Sequence, residues 1–476
     1  MARNLGDPMK IVMKFGGTSV TGRENVRRVA SLITSNLKLG HKVVAVVSAL
    51  DGVTEKLIEA AELAERRDRN FIKPFKQEIL EKHLNLASES LEIPSVRKEV
   101  HELITETVNE LEKVLTGIIY IGELTPRSRD YILSFGERLS TPIIYGAVKC
   151  LGFEAKYLTG ADAGIVTDSN FGEASPLMNV TEHQVKERLS PLLEKNVIPV
   201  ITGFIAATQE GVITTLGRGG SDYTATIIGA AIEADEIWIW TDVDGLMTAD
   251  PKIVPNAKTI QEISFEEALE MAVFGAKAMH PRALEPIMDK QTVVRIKNIF
   301  NPASPGTMLV REMRIKPGTT VKAVTLLKDI GVITLSGASM IGAPGTAAKV
   351  FEVLGKNGIN ILMISQGASE ANISIAIRRR ALDRAVNALE VALLGRGLIR
   401  EITAEDDVCI ISAVGAGMKN TPGIASRIFT AVARKGINVR MIAQGSSELN
   451  ISFVVKEADA KTAVQAIHEE FKLDEA

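Results

Sequence analysis

Two glycine-containing stretches, far apart in the chain, carry residue types suited to phosphoryl chemistry. The first, Lys14-Phe15-Gly16-Gly17-Thr18-Ser19, directly follows the apolar run Ile11-Val12-Met13. Paired glycines let backbone N–H groups approach an anion, and the lysine adds a fixed positive charge. A helix predicted from about Gly22 to Leu37 would point its positive end at the same turn. The stretch predicts a phosphate-binding turn, and a strand-to-helix turn without a ligand is the plain alternative.

The second stretch, Thr214 to Asp222, again follows an apolar segment and places glycines beside Arg218, Ser221 and Asp222. A guanidinium can hold a carboxylate through two parallel hydrogen bonds, whereas a carboxylate can orient a lysine or a magnesium ion. A purely structural hairpin would need only the glycines. The charged neighbours therefore favour a substrate site, and we expect the two stretches to line one cleft.

Short apolar runs alternate with helical patterns through the first part of the chain. Strands are predicted at Lys42 to Ser48, Val197 to Thr202 and Glu236 to Thr241. This alternation predicts a parallel sheet with helices on both faces. Such sheets bind ligands beyond the carboxyl ends of their strands. The residues predicted to lie at those ends are Lys14, Ser48, Gly203 and Thr241.

Composition narrows the class of protein. The chain has 476 residues, 46% hydrophobic and 24% charged, which fits a globular protein of two or three domains. Its formal net charge is −3, so nucleic acid and membrane surfaces are not expected as partners. Cys150 and Cys409 lie far apart, which favours a reducing cytoplasmic location over a disulfide framework. Residues 1–8 lack the apolar core of a signal peptide and are predicted to be a leader or disordered.

The last third of the chain contains an internal repeat with an offset of 78 residues. Gly337-Ala338-Ser339-Met340 corresponds to Gly415-Ala416-Gly417-Met418, and Asn372-Ile373-Ser374 corresponds to Asn450-Ile451-Ser452. Each copy predicts a strand, a Pro-Gly turn, a helix and two further strands, which is part of a ferredoxin-like βαββαβ unit. Two copies of one small module are therefore expected.

These stretches, in this order, resemble the amino acid kinase family, and the match to its aspartate kinases is close. The resemblance covers nearly the whole chain, and the segments that carry it are Lys14 to Val20, Val47 to Thr54, Ser134 to Ser140, Thr215 to Thr224, Trp240 to Gly245, Asp250-Pro251, Phe274 to Lys277 and His280-Pro281. The repeat is similar to the ACT domain, an amino-acid-binding regulatory module. The resemblance implies an α/β three-layer sandwich with a central, mostly parallel sheet, followed by two ferredoxin-like βαββαβ ACT domains.

The predicted domain bounds combine this resemblance with the composition of the linking segments. A catalytic domain is expected over 9–305, with a helical insert at about 68–130, and a Pro- and Gly-rich linker over 306–321. Tandem ACT domains follow over 322–476. The first copy is placed at about 330–404 and the second at about 405–476, completed by a strand at 322–328.

The resemblance implies transfer of the γ-phosphoryl group of ATP, with Mg²⁺, to the β-carboxylate of L-aspartate, a first step in lysine, threonine and methionine biosynthesis. The implied catalytic residues are Lys14 and Asp222. The implied substrate-binding residues are Ser48, Thr54, Glu137, Arg218, Gly219, Gly220 and Ser221. The implied ATP-binding residues are Lys14, Phe15, Gly16, Gly17, Thr241, Asp242, Met247, Lys252 and Lys277. Glu137 has a structural alternative as the partner of Arg138 or Arg218, and no metal site made by the protein alone is expected.

The ACT-like copies imply feedback control by an amino acid. The implied effector-contacting residues are Met340, Ile341, Gly342, Ala343, Gln366, Asn372, Gln444 and Asn450. Leu362 stands where lysine-sensitive relatives carry an aspartate, so threonine is favoured over lysine. A homo-oligomer is expected, a dimer through the ACT domains or a dimer of such dimers. Two alternatives remain: another kinase of the family with a different carboxylate acceptor, and a catalytically silent amino-acid sensor.

Overall fold

The computed structural model describes residues 8–275, 279–311, 320–369, 371–394 and 399–475. These residues form two units. The first unit contains residues 8–246, 261–265 and 279–311, and the second contains 247–260, 266–275 and the described residues from 320 onward. Residues 1–7 of the predicted leader lie outside the described part of the chain.

A large sheet organises the first unit. Its strands, together with those of a smaller sheet, are β1 (Lys10–Phe15), β2 (Lys42–Val47), β3 (Ala155–Leu158), β4 (Val166–Thr167), β5 (Ile198–Thr202), β6 (Ile205–Thr208), β7 (Ile213–Thr215), β8 (Glu236–Thr241), β9 (Glu262–Ser264), β10 (Val293–Asn298) and β11 (Thr307–Val310). Among the described residues, the large sheet has eight strands in the order β3-β5-β2-β1-β8-β10-β11-β9. Neighbours from β3 to β10 are parallel, and only β10 and β11 pair antiparallel. The predicted mostly parallel sheet is therefore confirmed.

Helices cover both faces of this sheet. They are α1 (Gly17–Val20), α2 (Arg23–Lys38), α3 (Val53–Glu65), α4 (Ile72–Ser90), α5 (Pro94–Ile121), α6 (Pro126–Cys150), α7 (Met178–Glu194) and α8 (Gly220–Ala231). Ile11 and Met13 of β1 join a core with residues of α2, α3 and α6, and Val12, on the opposite face, is also fully buried. Burial on both faces explains why β2 is a continuous apolar run.

The helical insert predicted at about 68–130 corresponds to α4 and α5. Pro94 stands in the first turn of α5, where its missing N–H leaves no hydrogen bond unmade. Gly122 ends the helix with a φ of 70°, a conformation that glycine adopts without strain. The bounds of this long helix thus follow from its own residues.

The predicted linker over 306–321 is wrong at its start. Thr307–Val310 forms β11, which pairs with β10, and Leu309 is fully buried in the sheet. Gly306 has a φ of 71°, and a Cβ added there would lie 2.0 Å from the carbonyl oxygen of Ile296. Pro305-Gly306 therefore lies in the loop that joins β10 to β11, directly before β11, and does not mark a domain boundary. Residues 312–319 lie outside the described part of the chain.

The predicted catalytic domain over 9–305 also differs from the observed division, because residues 247–260 and 266–275 belong to the second unit. Ile253 and Val254 share a core with Ile411 and Phe453. Phe274 packs in another core with Leu327. Burial of these side chains assigns the two segments to the C-terminal unit, although they are flanked in sequence by segments of the first.

The second unit contains one six-stranded antiparallel sheet in the order β13-β14-β12-β15-β17-β16, as far as the chain is described. Its strands are β12 (Ala323–Ser336), β13 (Ile361–Gln366), β14 (Asn372–Arg378), β15 (Glu401–Val414), β16 (Met441–Ala443) and β17 (Asn450–Lys456). Its helices are α9 (Phe265–Val273), which begins in the first unit, α10 (Thr346–Lys356), α11 (Leu382–Leu389), α12 (Ile424–Arg434) and α13 (Ala460–Glu470). The antiparallel sheet with its helices agrees with the predicted fold of two ACT domains.

The two copies share their long central strands. Residues 330–336 of β12 pair with β14, whereas residues 323–327 pair with residues 410–414 of β15. The first half of β12 thus lies beside the second copy. Equivalent turns have the same backbone: φ is 86° at Gly345 and 88° at Gly423, one repeat apart. Each such φ favours glycine, which explains the repeated Pro-Gly pair.

Candidate active site

The two glycine-containing stretches line one cleft in the first unit, with a volume of about 1160 Å³. The implied site residues among its lining are Lys14, Gly17, Ser48, Thr54, Glu137, Arg218, Gly219, Gly220, Ser221 and Asp222. Lys14 is in β1, one residue before its carboxyl end, and Asp222 lies in the first turn of α8. The structure therefore brings together residues more than two hundred positions apart, at the edge of the sheet where the sequence pattern expected them.

Lys14 and Asp222 form an ion pair within the cleft. The Lys14 Nζ to Asp222 Oδ1 distance is 2.7 Å, and the two side chains are 13% and 11% exposed. Asp222 lies near the amino end of α8, where the helix dipole favours a negative charge. The carboxylate thereby fixes the direction of the lysine amine. Such a fixed cation suits a group that must neutralise charge on a transferring phosphoryl.

The turn after β1 is held against the loop after β2. A Cβ at Gly17 would lie 2.9 Å from the carbonyl oxygen of Ala49, so the two backbones could not approach with any other residue there. The hydroxyl of Thr21 donates to the Gly17 carbonyl oxygen at 2.8 Å and accepts from the Asp51 N–H at 2.9 Å. Thr21 thus connects the two loops. The sequence pattern did not identify this residue, because a threonine after a short helix has no distinguishing spacing.

Glu137 on α6 places a carboxyl group inside the cleft. Its side chain is nearly inaccessible, and Oε2 has no hydrogen-bond partner among the described residues. Burial raises the pKa of Glu137 to about 8, against the opposing effects of the Ala49 and Glu137 backbone amides and the Lys14 charge. The group is therefore mostly neutral at pH 7. The alternative partner Arg138 instead donates to Glu110, with an Nη2 to Oε2 distance of 2.5 Å.

Two glycines shape the turn that carries Arg218. Gly219 has a φ of 68°, and a Cβ there would lie 2.2 Å from the Cβ of His280. Gly203 faces this turn, and a Cβ at that position would lie 2.4 Å from Ser221 Oγ. Both positions therefore require glycine. Arg218 is exposed, and within the described chain its guanidinium has no hydrogen bond or ion pair, so it can hold an anionic ligand.

Asp130 is a cleft residue that the sequence pattern missed. Its carboxylate accepts from the N–H of Gly172 at 2.9 Å, the N–H of Thr215 at 2.9 Å and the hydroxyl of Thr215 at 2.8 Å. It is almost fully buried, and burial raises the pKa of Asp130. These bonds hold the end of β7, directly before the Arg218 turn. Asp130, Ser134 and Glu137 have the helical spacing i, i+4 and i+7, which places them on one polar face of α6. This spacing is the sequence feature from which Asp130 could have been predicted as a cleft residue.

The residues implied to bind ATP are distributed over the chain. Phe15 is fully buried and stacks on Trp240 with ring centroids 6.3 Å apart. Thr241 ends β8, and its hydroxyl donates to Asp242 at 3.2 Å. Met247 and Lys252 lie in the second unit, where the Thr259 hydroxyl donates to Met247 Sδ at 3.4 Å. Lys277 lies outside the described residues.

The residues implied to contact an effector occupy equivalent places in the two copies. Gln366 ends β13, Asn372 begins β14, and both are exposed. Gln444 follows β16 and is exposed, whereas Asn450 begins β17 and donates to the carboxylate of Glu270. In the Met340 to Ala343 turn, Met340 is buried and Ile341 is exposed. The two copies therefore differ at this repeat position, because Asn372 is exposed whereas Asn450 is hydrogen-bonded to Glu270.

The described residues show neither a metal-binding group of side chains nor a membrane-spanning helix. In the described ranges, no three or more His, Cys, Asp or Glu side chains are grouped so that they could hold a metal ion. None of the helices described here has the length and apolar character needed to cross a bilayer.

Comparisons with known proteins agree with the geometry. Residues 9–298 match the amino acid kinase family, and residues 333–393 and 411–471 match the ACT domain. The chain is 33% identical to the bifunctional aspartokinase/homoserine dehydrogenase 2 of Arabidopsis thaliana, over 97% of its own length and 50% of that protein. It therefore spans about half the length of the bifunctional relatives it matches. It is 34% identical to aspartokinase 1 of the same plant, covering 97% of this chain and 80% of that one.

Solved structures give the same picture. E. coli aspartokinase III in complex with aspartate and ADP superposes with a TM-score of 0.78 and 28% identity, covering 97% of this chain and 99% of that chain. The same enzyme in complex with lysine and aspartate gives a TM-score of 0.79 and 27% identity, covering 97% and 99%. Aspartate kinase from Clostridium acetobutylicum gives 0.79 and 28%, covering 97% and 100%.

Proposed function

The chain belongs to the amino acid kinase family, and we propose that it is an aspartate kinase, which transfers the γ-phosphoryl group of ATP to the β-carboxylate of L-aspartate. The product is 4-phospho-L-aspartate. The observation that carries the proposal is the Lys14–Asp222 ion pair, which lies in one cleft with the Arg218 guanidinium and the Glu137 carboxyl group. A donor and an acceptor that are both anionic would need cations at separate points of such a cleft.

Phosphoryl transfer asks the protein for positioning and charge neutralisation more than for covalent chemistry. Lys14 supplies the fixed cation, and Asp222 keeps the lysine amine in place. The acceptor carboxylate of aspartate is already ionised at neutral pH, so no general base is needed to activate it. This requirement fits a cleft in which the Asp222 carboxylate is paired with Lys14 and burial raises the pKa of Glu137 to about 8.

The acceptor amino acid carries two carboxylates and an ammonium group. Arg218 is suited to one carboxylate because its guanidinium is exposed to the cleft and unpaired among the described residues. Glu137 is suited to the ammonium, because its buried oxygen has no other partner and gains one when the ligand binds. An N-acylated amino acid has a neutral amide in place of the ammonium, so it offers Glu137 no cationic donor, which favours a free α-amino acid as the acceptor.

ATP supplies the phosphoryl group, and the glycine turn after β1 has the donor set that a polyphosphate needs. Because Gly17 lies so close to Ala49, no side chain fits at this turn, and the backbone N–H groups are left available to a phosphate. Lys14, Gly16 and Gly17 would hold the phosphates. A magnesium ion would arrive with ATP, because this cation keeps phosphate and water ligands and needs only one or two carboxylates from the protein. Asp222 would supply such a carboxylate.

The decisive test measures ADP release with aspartate, glutamate and N-acetylglutamate as acceptors, with hydroxylamine present to trap an acyl phosphate as its hydroxamate. We expect aspartate to be preferred and to give the hydroxamate. A clear preference for another acceptor would reassign the substrate. Tight binding of Mg-ATP without turnover on any acceptor would instead favour an amino-acid sensor.

Regulation, assembly and location complete the proposal. Feedback inhibition by threonine is favoured over lysine because Leu362 offers no charge to a side-chain ammonium. A homo-oligomer through the ACT domains is supported by exposed apolar side chains on their outer strands. Free thiols at Cys150 and Cys409 suit a reducing compartment such as the cytoplasm. Titration of activity with threonine and lysine separately tests the effector.

A further inference from the structure

Helix α6 holds backbone on two sides of the cleft. Near its amino end, Asp130 accepts from the Gly172 N–H and from both the N–H and the hydroxyl of Thr215. Further along the helix, the Ser140 hydroxyl donates at 2.7 Å to the carbonyl oxygen of Ser48, the first residue after β2. One helix therefore holds the end of β7 and the loop after β2.

The Asp130 carboxylate is built into the wall of the cleft. It is 1% exposed and belongs to the residues that line the cleft. Its Oδ2 accepts two backbone N–H groups, each at 2.9 Å, and its Oδ1 accepts the Thr215 hydroxyl at 2.8 Å. A buried carboxylate is unfavourable unless donors satisfy its oxygens in this way. The positions of these three donors are therefore fixed relative to α6.

The backbone that Asp130 holds leads directly to Arg218. Thr215 is the last residue of β7 and lies three positions before Arg218. A Cβ added at Gly217 would lie 3.2 Å from the carbonyl oxygen of Gly172, whose N–H is bound by the same carboxylate. Both the strand end and the loop that packs against the turn are thus held by one side chain.

The same helix presents the Glu137 carboxyl group. Asp130 and Glu137 are seven residues apart, and an α-helix rises about 10 Å over that length. Gly136 packs closely on the loop after β2, since a Cβ there would lie 2.9 Å from the Ala49 Cβ. The two groups suited to the acceptor, Arg218 and Glu137, are therefore both located by α6.

The place of the Arg218 guanidinium limits the length of the acceptor. If Arg218 holds the α-carboxylate, its distance from Lys14 must match the distance from that carboxylate to the reacting one. If Arg218 holds the other carboxylate, its distance from Glu137 must match the distance from that carboxylate to the ammonium. In both cases a displaced Arg218 turn fits an acceptor of a different length.

We propose that Asp130 is a positioning residue that determines the length of the amino-acid acceptor, by holding the Arg218 turn at a fixed place relative to α6. Aspartate and glutamate differ by one methylene group. A well-fitted site distinguishes such a pair by about 10- to 200-fold. The inference rests on the proposed function, because it concerns the acceptor of that reaction.

The test measures kcat and KM for aspartate, glutamate and ATP in the full chain and in Asp130→Glu, with hydroxamate formation as the readout. The glutamate keeps the charge but is longer by one methylene, so it displaces the end of β7. We expect the KM for aspartate to rise about tenfold or more, because the turn that carries Arg218 is misplaced. The preference for aspartate over glutamate should fall about tenfold, and the KM for ATP should change little.

Asp130→Asn is the conservative variant. Its amide oxygen, in the place of Oδ2, can still accept both N–H groups, and its NH₂ group, in the place of Oδ1, can donate to the Thr215 hydroxyl. The three hydrogen bonds are therefore retained without the charge. This variant should keep the preference for aspartate over glutamate.

Glu99→Gln is the control for a general weakening of α6. Glu99 accepts from Tyr145 Oη at 2.7 Å and from Lys149 Nζ at 2.8 Å, and both of these donors are in α6. Glu99 is not one of the residues that line the cleft. Any fall in Tm caused by this substitution should leave the KM for aspartate and the preference for aspartate unchanged.

An unchanged KM for aspartate and an unchanged preference in Asp130→Glu would overturn the inference. Equal rises in the KM for aspartate and for ATP, or a lost preference in Glu99→Gln, would also overturn it, because they would show a structural role alone. Failure of the proposed function appears separately, as an absence of hydroxamate with aspartate in the unmodified chain. If that chain prefers another acceptor, the same loss of length preference is expected in Asp130→Glu, and if it binds acceptors without turnover, calorimetric affinities replace KM.

Discussion

The Lys14–Asp222 pair shows how a residue acquires a chemical role from its surroundings. Each side chain is largely buried, and each would be unfavourable there without the other. The pair leaves the lysine amine facing the cleft in a fixed direction, so no reorganisation is needed when an anion binds. Glu137 is the reverse case, because its carboxyl group is buried beside a cation and yet remains protonated. Both arrangements lead to predictions at single residues.

Replacing Lys14 with alanine should lower turnover by two to three powers of ten, which is about the effect of removing one preorganised electrostatic contact. Steady-state kinetics on the purified variant checks this. Lys10→Ala is the matched control, since Lys10 begins the same strand and its amine donates to the Ile232 carbonyl oxygen, away from the cleft. Near wild-type turnover in Lys14→Ala would remove Lys14 from the mechanism.

Glu137 should release a proton when aspartate binds. Burial raises its pKa to about 8, so at pH 7 the free enzyme carries it protonated, and a bound ammonium group would lower that pKa again. Titration calorimetry at pH 7 in buffers of different ionisation enthalpy should give close to one proton released per aspartate. Glu137→Gln should bind more weakly and release none. Equal proton release by both proteins would contradict the assignment.

The raised pKa of Glu137 also makes the stability of the folded protein depend on pH. The folded-state pKa lies above the unfolded value of 4.5, so the folded state holds this proton more tightly. The contribution of Glu137 is therefore fully present below about pH 4.5 and is lost as pH rises toward about 8. In the ligand-free protein, Glu137→Gln should flatten that part of the pH dependence of the free energy of unfolding.

At the scale of elements, loops are positioned by side chains that never touch the ligand. Asp130 of α6 holds the end of β7, and Thr21 joins the turn after β1 to the loop after β2. The hydroxyl of Ser140 similarly donates to the Ser48 carbonyl oxygen at 2.7 Å. Each contact fixes backbone that lines the cleft. Catalytic efficiency should therefore depend on residues outside the implied site.

Thr21→Val should lower kcat/KM about tenfold, because it leaves the Asp51 N–H without its acceptor and frees the Gly17 turn. Thr21→Ser keeps the hydroxyl and should behave like the unmodified enzyme. Kinetics of both variants, with circular dichroism to verify the fold, makes the comparison. If valine and serine act alike, the hydroxyl does not position the loop.

At the scale of the whole molecule, the ACT domains form one unit because they share strands. β12 and β15 each have 14 residues, and each contributes to both copies. Removal of one copy would therefore leave half-paired strands in the other. The outer strands β13 and β16 carry Ile364 and Ile442, one repeat apart and 43% and 46% exposed. Exposed apolar side chains on strand edges favour association with another chain.

The purified protein should be a dimer or a dimer of dimers by light scattering. Ile364→Lys and Ile442→Lys place a charge on the two outer strands in turn, and at least one should lower the measured mass, because a lysine would be buried unpaired at the interface. Leu39→Lys, at an exposed position of the first unit, is the control and should leave the mass unchanged. Unchanged mass in both isoleucine variants would exclude these edges as the contact.

Many strands of the first unit could be predicted because each one is marked by a short run of apolar residues. β8 has the bounds expected from Glu236 to Thr241, and β1 follows from three apolar residues before a glycine turn. The internal repeat could also be predicted, and the structure agrees with it, since corresponding helices and strands begin one repeat apart. The sequence predicts a linker at Pro305-Gly306 because the same two residues are typical both of a domain boundary and of a loop between two paired strands. Only the pairing of β11 with β10 distinguishes these possibilities.

Local patterns were enough to predict the two glycine turns, the parallel sheet and the duplicated module, because glycine conformation and hydrophobic period act over a few residues. Which distant groups meet is visible only in the folded chain. Asp130 is 85 residues from Thr215, and Ala416 is 149 residues from Glu267, so no local pattern links them. The unit to which α9 belongs depends on the same kind of contact. Its segment is matched to the kinase family, yet Glu267 pairs with Lys322 and Glu270 accepts from Asn450, both in the unit of the ACT domains.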